Sequence, residues 1–598
     1  MPSVKFSDTF SDVLVNLGYT HCFFVAGGNI MHLIESLSQR MTMVPVVNEV
    51  ATVIAAEYFN EVKRPSGKKA LAMVTAGPGL TNALTGMAGA FTESREVLVV
   101  GGQVKKSDLS RGKLRQRGIQ EIDGIALAQS ISLRTLRIEE PIPAQQIVDF
   151  VYQQKVSRKG PLFIEICLDA QNAAPVNESF DIPLDEDKPP QAHEVEKVRD
   201  LLEQAQRPVL LLGSGVDIQS IPAILSTTEQ MGLPLLSTWN GADRIPCTAS
   251  NFWGRPNNWG QRHSNLIMQQ ADLVIAAGTR LGFQQTGFNY QEFAPLAQVV
   301  HIDIDRAEIE KGHPRVDLGV VADAAKTLEL VFASRPTNKT KLEQWLKLCD
   351  LIRARVPVPD PENSAKTEFV EIFKFVHELS TYFGSQDVVI PCSSGGGSTV
   401  TMQVLQQRGL PQRIVTNKGM ASMGYGLPGA IGAAFARPDN TTWLIDGDGG
   451  LIQNTQEFGV VGQFELPIKT FIISNNGYAS IRSTQRNYFG GHYVGCDPST
   501  GLQIPDWEKL AEAYRVGYFR VNPGDPFSAD FLASIYDKRP AIYEIPVDPE
   551  QTFYPKIQSR ISATRGMESN PLHEMTPHLN RDLMALVAPH LKIDPSLG

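Results

Sequence analysis

Two oxygen-bearing side chains, Asp448 and Asn475, stand at the ends of apolar runs, each close to glycine. The first context is WLIDGDGG, carrying Gly447, Asp448, Gly449 and Gly450; the second is FIISNNGY, carrying Asn475, Asn476, Gly477 and Tyr478. A carboxylate and an amide oxygen are hard ligands that suit Mg2+, an ion that usually binds together with phosphate groups. Each run predicts a buried strand ending in a glycine turn, and in a parallel sheet both would deliver their ligands to the carboxyl edge. Asp-Gly and Asn-Gly are also ordinary turn dipeptides, which is the plainer reading of either turn alone. A third turn, Cys392-Ser393-Ser394-Gly395-Gly396-Gly397-Ser398, follows the run DVVI. At a helix start it could offer N–H groups and hydroxyls to a diphosphate.

The elements that must position these groups alternate short apolar runs with helical stretches, the pattern of α/β domains. Such runs include CFFVAG, ALAMVTAG and EVLVVGG, then PVLLLGSG, ADLVIAAGTR and VVHIDID, then TTWLIDGDGG and KTFIISNNG. A chain of 598 residues exceeds one core and calls for about three domains. The boundaries expected are 1–175, 193–335 and 366–548, with an acidic, Pro-rich linker at 177–191 and a tail or lid at 549–598. A net charge of -9 argues against nucleic acid or an anionic membrane surface as main partner. The first residues lack a secretory pattern, and no apolar run reaches the roughly 20 residues that span a bilayer. The six cysteines are scattered without a CxxC, which predicts a reduced, cytoplasmic protein.

FFVAGGNIMHLIESL, VVNEVATVIAAEYFNE and VTAGPGLTNALTGMAGAFTESREVLVVGGQ, together with the metal-type turns, resemble the acetolactate synthase branch of thiamine diphosphate enzymes. The resemblance runs over nearly the whole chain. It implies an α/β fold of three doubly wound parallel-sheet domains: pyrimidine-binding, central nucleotide-binding-like, and diphosphate- and Mg2+-binding. It makes Glu49 the glutamate that bonds N1' of the aminopyrimidine and promotes loss of the C2 proton. The chemistry is sound, because a carboxyl group in a protected site can share a proton with a ring nitrogen. Many relatives carry His before this glutamate; here it is Asn48.

The same resemblance places Thr75, Pro78 and Asn82 near the pyrimidine, and Gly28, Asn29 and Gln120 near the reacting centre. Ser394, Gly395, Gly396, Gly447, Gly449, Gly450 and Tyr478 surround the diphosphate. The metal ligands implied are Asp448, Asn475 (27 positions on) and the Gly477 carbonyl, with Asn476 competing for the amide role. Met423 would wedge the bent cofactor, and the Ala421 carbonyl would accept from its amino group. In the middle domain Gly213, Gly215, Thr238, Trp239, Gly278, Arg280, Asp303, Ile304 and Asp323 fall where relatives contact FAD. There Gly282 and Gln284 replace an acid and an arginine of the family.

The activity implied is decarboxylation of a 2-oxo acid such as pyruvate and transfer of its two-carbon unit to a carbonyl acceptor. A tryptophan that shapes the acceptor pocket of acetolactate synthases is absent near Thr484, where Arg482, Gln485 and Arg486 lie instead. That change favours a larger acceptor, a nucleotide-linked 4-keto-deoxysugar, although a charged, solvated turn explains the same residues equally well. The alternatives are a second pyruvate, giving 2-acetolactate, or simple decarboxylation, or a 2-hydroxyacyl-CoA lyase. A non-catalytic nucleotide-binding regulator would require a broken metal or glutamate motif. The family also implies a homodimer or homotetramer with active sites between subunits.

Overall fold

The computed structural model describes residues 4–152, 158–176, 178–183, 188–333, 339–363, 365–392, 394–561 and 567–592. Three parallel sheets follow one another along the chain. The first holds β1 (Tyr19–Phe24), β2 (Thr42–Pro45), β3 (Lys69–Val74), β4 (Val97–Gln103), β5 (Arg134–Ile138) and β6 (Pro161–Cys167), in the order β2-β1-β3-β4-β6-β5. The second holds β7 (Pro208–Leu212), β8 (Leu235–Ser237), β9 (Leu273–Ala277), β10 (Gln298–Asp303) and β11 (Leu318–Val321), ordered β11-β10-β9-β7-β8. The third holds β12 (Val388–Pro391), β13 (Arg413–Ile414), β14 (Thr442–Gly447), β15 (Ile468–Ser474), β16 (Gly517–Arg520) and β17 (Ala541–Pro546), ordered β13-β12-β14-β15-β17-β16. The central strands of each sheet are buried almost from end to end, so they read as mainly apolar runs rather than as alternating ones.

The first and third units share one core. The helix Glu49–Lys63, with Ala51, Ala55 and Ala56, lies against the helix Gly426–Ala436, which is rich in Ala and Gly. Their backbones approach so closely that a Cβ on Gly432 would lie 2.0 Å from the Ala55 carbonyl oxygen. A polar lock sits in the same interface. Arg95 donates to Glu57 Oε1 at 2.7 Å and to the Thr416 carbonyl, while the Tyr425 hydroxyl donates to Glu57 Oε2. Burial outweighs the Arg95 charge and pushes the Glu57 carboxyl up to about 7.

The described residues of the 177–191 stretch are neither helix nor strand. The tail carries a small antiparallel hairpin, β18 (Ser559–Ile561) with β19 (Met567–Ser569), and a helix, Arg581–Val587. It buries Ile557, Leu572, Met575, Met584 and Val587 against a core of the middle unit that includes Val209, Leu266 and Val274.

Candidate functional site

Glu49 is the first residue of its helix. Asn48, in place of the family histidine, caps that helix: its side chain accepts from the Val50 N–H at 3.0 Å. This answers the need of a helix start for a side-chain acceptor. Asn82 reaches across from the helix Pro78–Thr92 and donates to Glu49 Oε2 at 2.9 Å. That helix opens on Gly77, whose φ of 68° lies in the left-handed region and whose Cβ would stand 2.5 Å from the Gln120 carbonyl oxygen. Gly27 faces Thr75, with a would-be Cβ 2.6 Å from Thr75 Oγ1, a buried hydroxyl with no hydrogen bond among the described residues. A Cβ on Gly102, at the end of β4, would meet the Asn29 carbonyl oxygen at 2.2 Å. Asn29, Thr75, Pro78 and Gln120 thus gather at the carboxyl edge of β1, β3 and β4, with Gly28 exposed beside them.

Glu457 carried no signal in the sequence beyond being an acid ahead of an apolar stretch. It comes from the third unit, and its carboxylate accepts the Val47 N–H at 3.2 Å and the Asn48 N–H at 3.0 Å. It therefore pins the segment that leads into Glu49. Burial raises its carboxyl from 4.5 to about 7 against the pull of those N–H groups. A raised folded value means that Glu457 supports the fold most below about pH 4.5, and less as pH rises to about 7. Glu457→Gln has no such titration. Its stability relative to the parent is expected to climb through that window by up to about 3 kcal/mol. Melting curves of both proteins across the window check this; a pH-independent difference would remove the assignment.

The metal-type half is built by adjacent strands. β14 pairs with β15 up to Gly447 opposite Ile473, so Asp448 and Asn475 step off neighbouring strand ends. Asp448 is buried; Oδ2 accepts from the Asn475 N–H at 3.0 Å and the Gly477 N–H at 3.1 Å, and Oδ1 from the Gly449 N–H at 2.7 Å. Burial lifts its carboxyl to about 6 in spite of these bonds. Asn475 is 6% exposed and its side chain makes no hydrogen bond among the described residues, which leaves its oxygen for a cation. Asn476 is exposed and bends the chain at φ 61°. Gly477 follows at φ 110°, where a Cβ would lie 2.5 Å from the Cys496 carbonyl oxygen. The set is all oxygen and fits Mg2+. Tyr478 packs on Gly449, whose Cβ would be 2.5 Å from its ring, and Gly450 lies against Asp446.

β12 flanks β14 on the other side, so the Ser394–Gly396 turn stands next to Asp448 at the same edge. Ser394 precedes the helix Gly395–Val404, Gly395 has φ 70°, and a Cβ on Gly396 would touch the Phe553 ring at 3.0 Å. An N-terminus of this kind suits phosphate oxygens. Ser393 lies outside the described residues. The segment expected to support the cofactor is held by Asn417, whose Oδ1 accepts from Met420 N at 3.2 Å and Ala421 N at 3.4 Å, and by Asn454 Nδ2 on the Gly424 carbonyl at 2.6 Å. Ala421 sits at φ 50°, and Met423 is 36% exposed. Glu93 of the first unit adds a brace that the sequence did not signal, accepting from the Lys418 and Gly419 N–H groups and from Asn240 of the middle unit.

Of the three residues expected to meet a large acceptor, Arg482 is withdrawn into the chain, whereas Gln485 and Arg486 keep partly exposed or exposed side chains. Arg482 is 3% exposed and bonded to three carbonyls. Gln485 brackets the Val494 backbone through both its amide atoms, and Arg486 pairs with Glu550.

In the middle unit Gly215, Thr238, Trp239, Gly278, Arg280, Asp303, Ile304 and Asp323 line one cavity of about 450 Å³, joined there by Arg158 and Lys418. Gly213 packs behind it, with a would-be Cβ 2.1 Å from the Gly278 carbonyl oxygen. Asp303 is pushed up to about 6 by burial, and the Asp323 side chain caps the following helix at Lys326. Gln284, in place of the family arginine, donates to the Lys418 carbonyl at 3.3 Å.

Three family models match along the chain: the N-terminal TPP binding domain of thiamine pyrophosphate enzymes at residues 4–127, the central domain at 195–331, and the C-terminal TPP binding domain at 394–545. Curated relatives align over most of their length. A probable acetolactate synthase large subunit of Methanocaldococcus jannaschii is 28% identical, covering 84% of this chain and 85% of its own. An acetolactate synthase large subunit of Parasynechococcus marenigrum is 27% identical over 94% and 90%, and the isozyme 2 large subunit of Escherichia coli is 26% identical over 84% and 89%. With three parallel sheets matched in order by these models, the chain belongs to the thiamine pyrophosphate (thiamine diphosphate) enzymes, in their acetolactate synthase-like branch.

Proposed function

We propose that this enzyme decarboxylates pyruvate and joins the remaining two-carbon unit to the carbonyl of a second pyruvate, giving 2-acetolactate. Two pyruvate anions and one proton then yield one acetolactate anion and one carbon dioxide. The observation that carries the reading is the pairing of Glu49 with Asn82 at one sheet edge and of Asp448 with the Asn475–Gly477 turn at another. The relatives named acetolactate synthase favour pyruvate as acceptor. So does the burial of Arg482, whose guanidinium is spent on three backbone carbonyls and is not free for a nucleotide-linked sugar.

In this reading Asp448, Asn475 and the Gly477 carbonyl hold Mg2+, and the Ser394–Gly396 turn takes the diphosphate. Thiamine diphosphate supplies the electron sink that decarboxylation needs. Glu49 holds a proton against the pyrimidine nitrogen, and Asn82 fixes the carboxylate that does so. Met423 would support the cofactor and help keep reacting atoms within reach of one another. The reading includes a homodimer or homotetramer in which the two halves meet from different subunits.

The middle cavity is read as a nucleotide pocket with FAD as its candidate. Strand-end glycines and the cations Arg158, Arg280 and Lys418 support it. Flavin fluorescence from denatured, freshly purified protein tests it. A cytoplasmic setting is part of the same reading, supported by the absence of a disulfide among the six cysteines; among the described residues no helix is long and apolar enough to cross a membrane.

Product analysis tests the function. Protein supplied with thiamine diphosphate, Mg2+ and FAD is given pyruvate, with and without a nucleotide-linked 4-keto-deoxyhexose. Acetolactate at equal rate in both is expected. An acylated sugar formed in preference would replace pyruvate as acceptor. Acetaldehyde alone would make the enzyme a decarboxylase, and absence of carbon dioxide would overturn pyruvate as donor.

A further inference from the structure

Arg482 lies in the helix Ala479–Tyr488, just after the proposed metal turn, and is 3% exposed. Its Nη2 donates to the Asn475 carbonyl at 2.6 Å and to the Pro549 carbonyl at 3.2 Å; its Nη1 donates to the Asn476 carbonyl at 2.7 Å. The same turn gives its N–H groups at Asn475 and Gly477 to Asp448 Oδ2. A carboxylate therefore grips the donors of the turn, and a guanidinium grips its acceptors. Between them the chain runs through two left-handed residues, Asn476 at φ 61° and Gly477 at φ 110°. Backbone in such regions persists only when its surroundings over-determine it. The planar fork of arginine can satisfy several carbonyls at fixed angles, which a lysine ammonium does not reproduce.

We propose that Arg482 is a positioning residue for the divalent-metal site. It holds the Asn475–Gly477 turn in the shape that presents the Asn475 side chain and the Gly477 carbonyl together, and it ties that turn to the chain at Pro549. It touches neither metal nor substrate. The inference rests on the Mg2+ reading of the turn. Its sign is distinctive: a buried cation beside a dication repels it, so charge alone predicts that removing Arg482 tightens Mg2+. Geometry predicts the reverse.

The test titrates Mg2+ into full-length protein with saturating thiamine diphosphate. Cofactor binding is read by calorimetry, and pyruvate consumption is followed in parallel. Arg482→Met is expected to raise the Mg2+ midpoint by about 10- to 100-fold, the usual loss when a partner of a metal ligand is removed. Arg482→Lys, which keeps the charge without the fork, is expected to fall between the variant and the parent. In both, kcat at saturating Mg2+ returns to near the parent value. A lowered melting temperature with an unmoved Mg2+ midpoint would overturn the proposal and leave Arg482 a structural residue; a lowered midpoint in Arg482→Met would show charge, not geometry, to dominate and would also overturn it. Should Arg482→Met fail to fold, the midpoint of Arg482→Lys decides the matter. The parent and Asp448→Ala run beside them: a parent indifferent to Mg2+ sinks the metal reading itself, whereas a responsive parent with unshifted Arg482 variants sinks this inference alone.

Discussion

Glu49→Gln is expected to lower kcat for pyruvate consumption by about 10²- to 10⁴-fold, the range contributed by a positioned proton-transfer group. The fold is expected to survive. The Glu49 side chain is partly exposed and makes one side-chain hydrogen bond, from Asn82 at 2.9 Å. Gln keeps an oxygen to accept that bond, and no buried partner is left unpaired. The charge lost at the first position of a helix changes stability by about 0.3–1 kcal/mol, a small amount for a protein of this size. Mg2+-dependent binding of the cofactor should also persist, since the diphosphate and metal groups sit on β12, β14 and β15 rather than on the Glu49 helix. The measurements are steady-state kcat, the Kd for thiamine diphosphate, and the exchange rate of the cofactor C2 proton. Asn82→Ala provides the graded control: it frees the Glu49 carboxylate without removing it, and a loss of about tenfold is expected if it only orients. Equal rates in parent and Glu49→Gln would take Glu49 out of the chemistry.

What could be read from the sequence was what is local. Gly447, Gly449, Gly477 and the Gly395–Gly396 pair announce strand ends because only glycine-rich turns leave a buried parallel strand so abruptly, and the strands themselves are mainly apolar runs. Glu49 and Asn82 were placed near one cofactor by family resemblance, and they meet across two helices. What escaped were polar side chains whose partners lie far along the chain. Glu457 bonds residues about 410 positions earlier, and Glu93 bonds Lys418 across 325 positions. Neither has a local pattern to mark it. Arg482 shows the same limit in part: beside Gln485 and Arg486 it reads as an acceptor-pocket or solvated-turn residue, whereas it is buried on two nearby carbonyls and a third 67 positions away. Asn48 shows a different limit. Against the family pattern it is a missing histidine, yet its short amide is suited to a helix cap, so the substitution exchanges a possible proton carrier for a better-defined start to the Glu49 helix.

Asp448→Ala is expected to abolish activity and to prevent retention of thiamine diphosphate at any Mg2+ concentration that the parent responds to. Two losses act together. The first is a charged ligand: Asn475 and the Gly477 carbonyl are neutral oxygens, and without the carboxylate the site has no anion of its own to draw a divalent cation. The second is the frame. Both Asp448 oxygens are used by the turns, Oδ2 by Asn475 and Gly477 and Oδ1 by Gly449, so alanine leaves three N–H groups without their acceptor beneath a buried strand end. Unsatisfied buried donors cost about 1–3 kcal/mol each, enough to let the left-handed Asn476–Gly477 corner relax. Asp448→Asn separates the two effects, because it keeps an oxygen for part of the frame while losing the charge. If charge recruits the metal, the Asn variant should lose cofactor retention nearly as fully as Ala while melting closer to the parent. If the frame dominates, the Asn variant should regain binding at high Mg2+. Calorimetric titration of thiamine diphosphate at several Mg2+ concentrations, with melting curves of the metal-free proteins, distinguishes the two. Parent-like cofactor binding by Asp448→Ala would move the metal site away from this turn altogether.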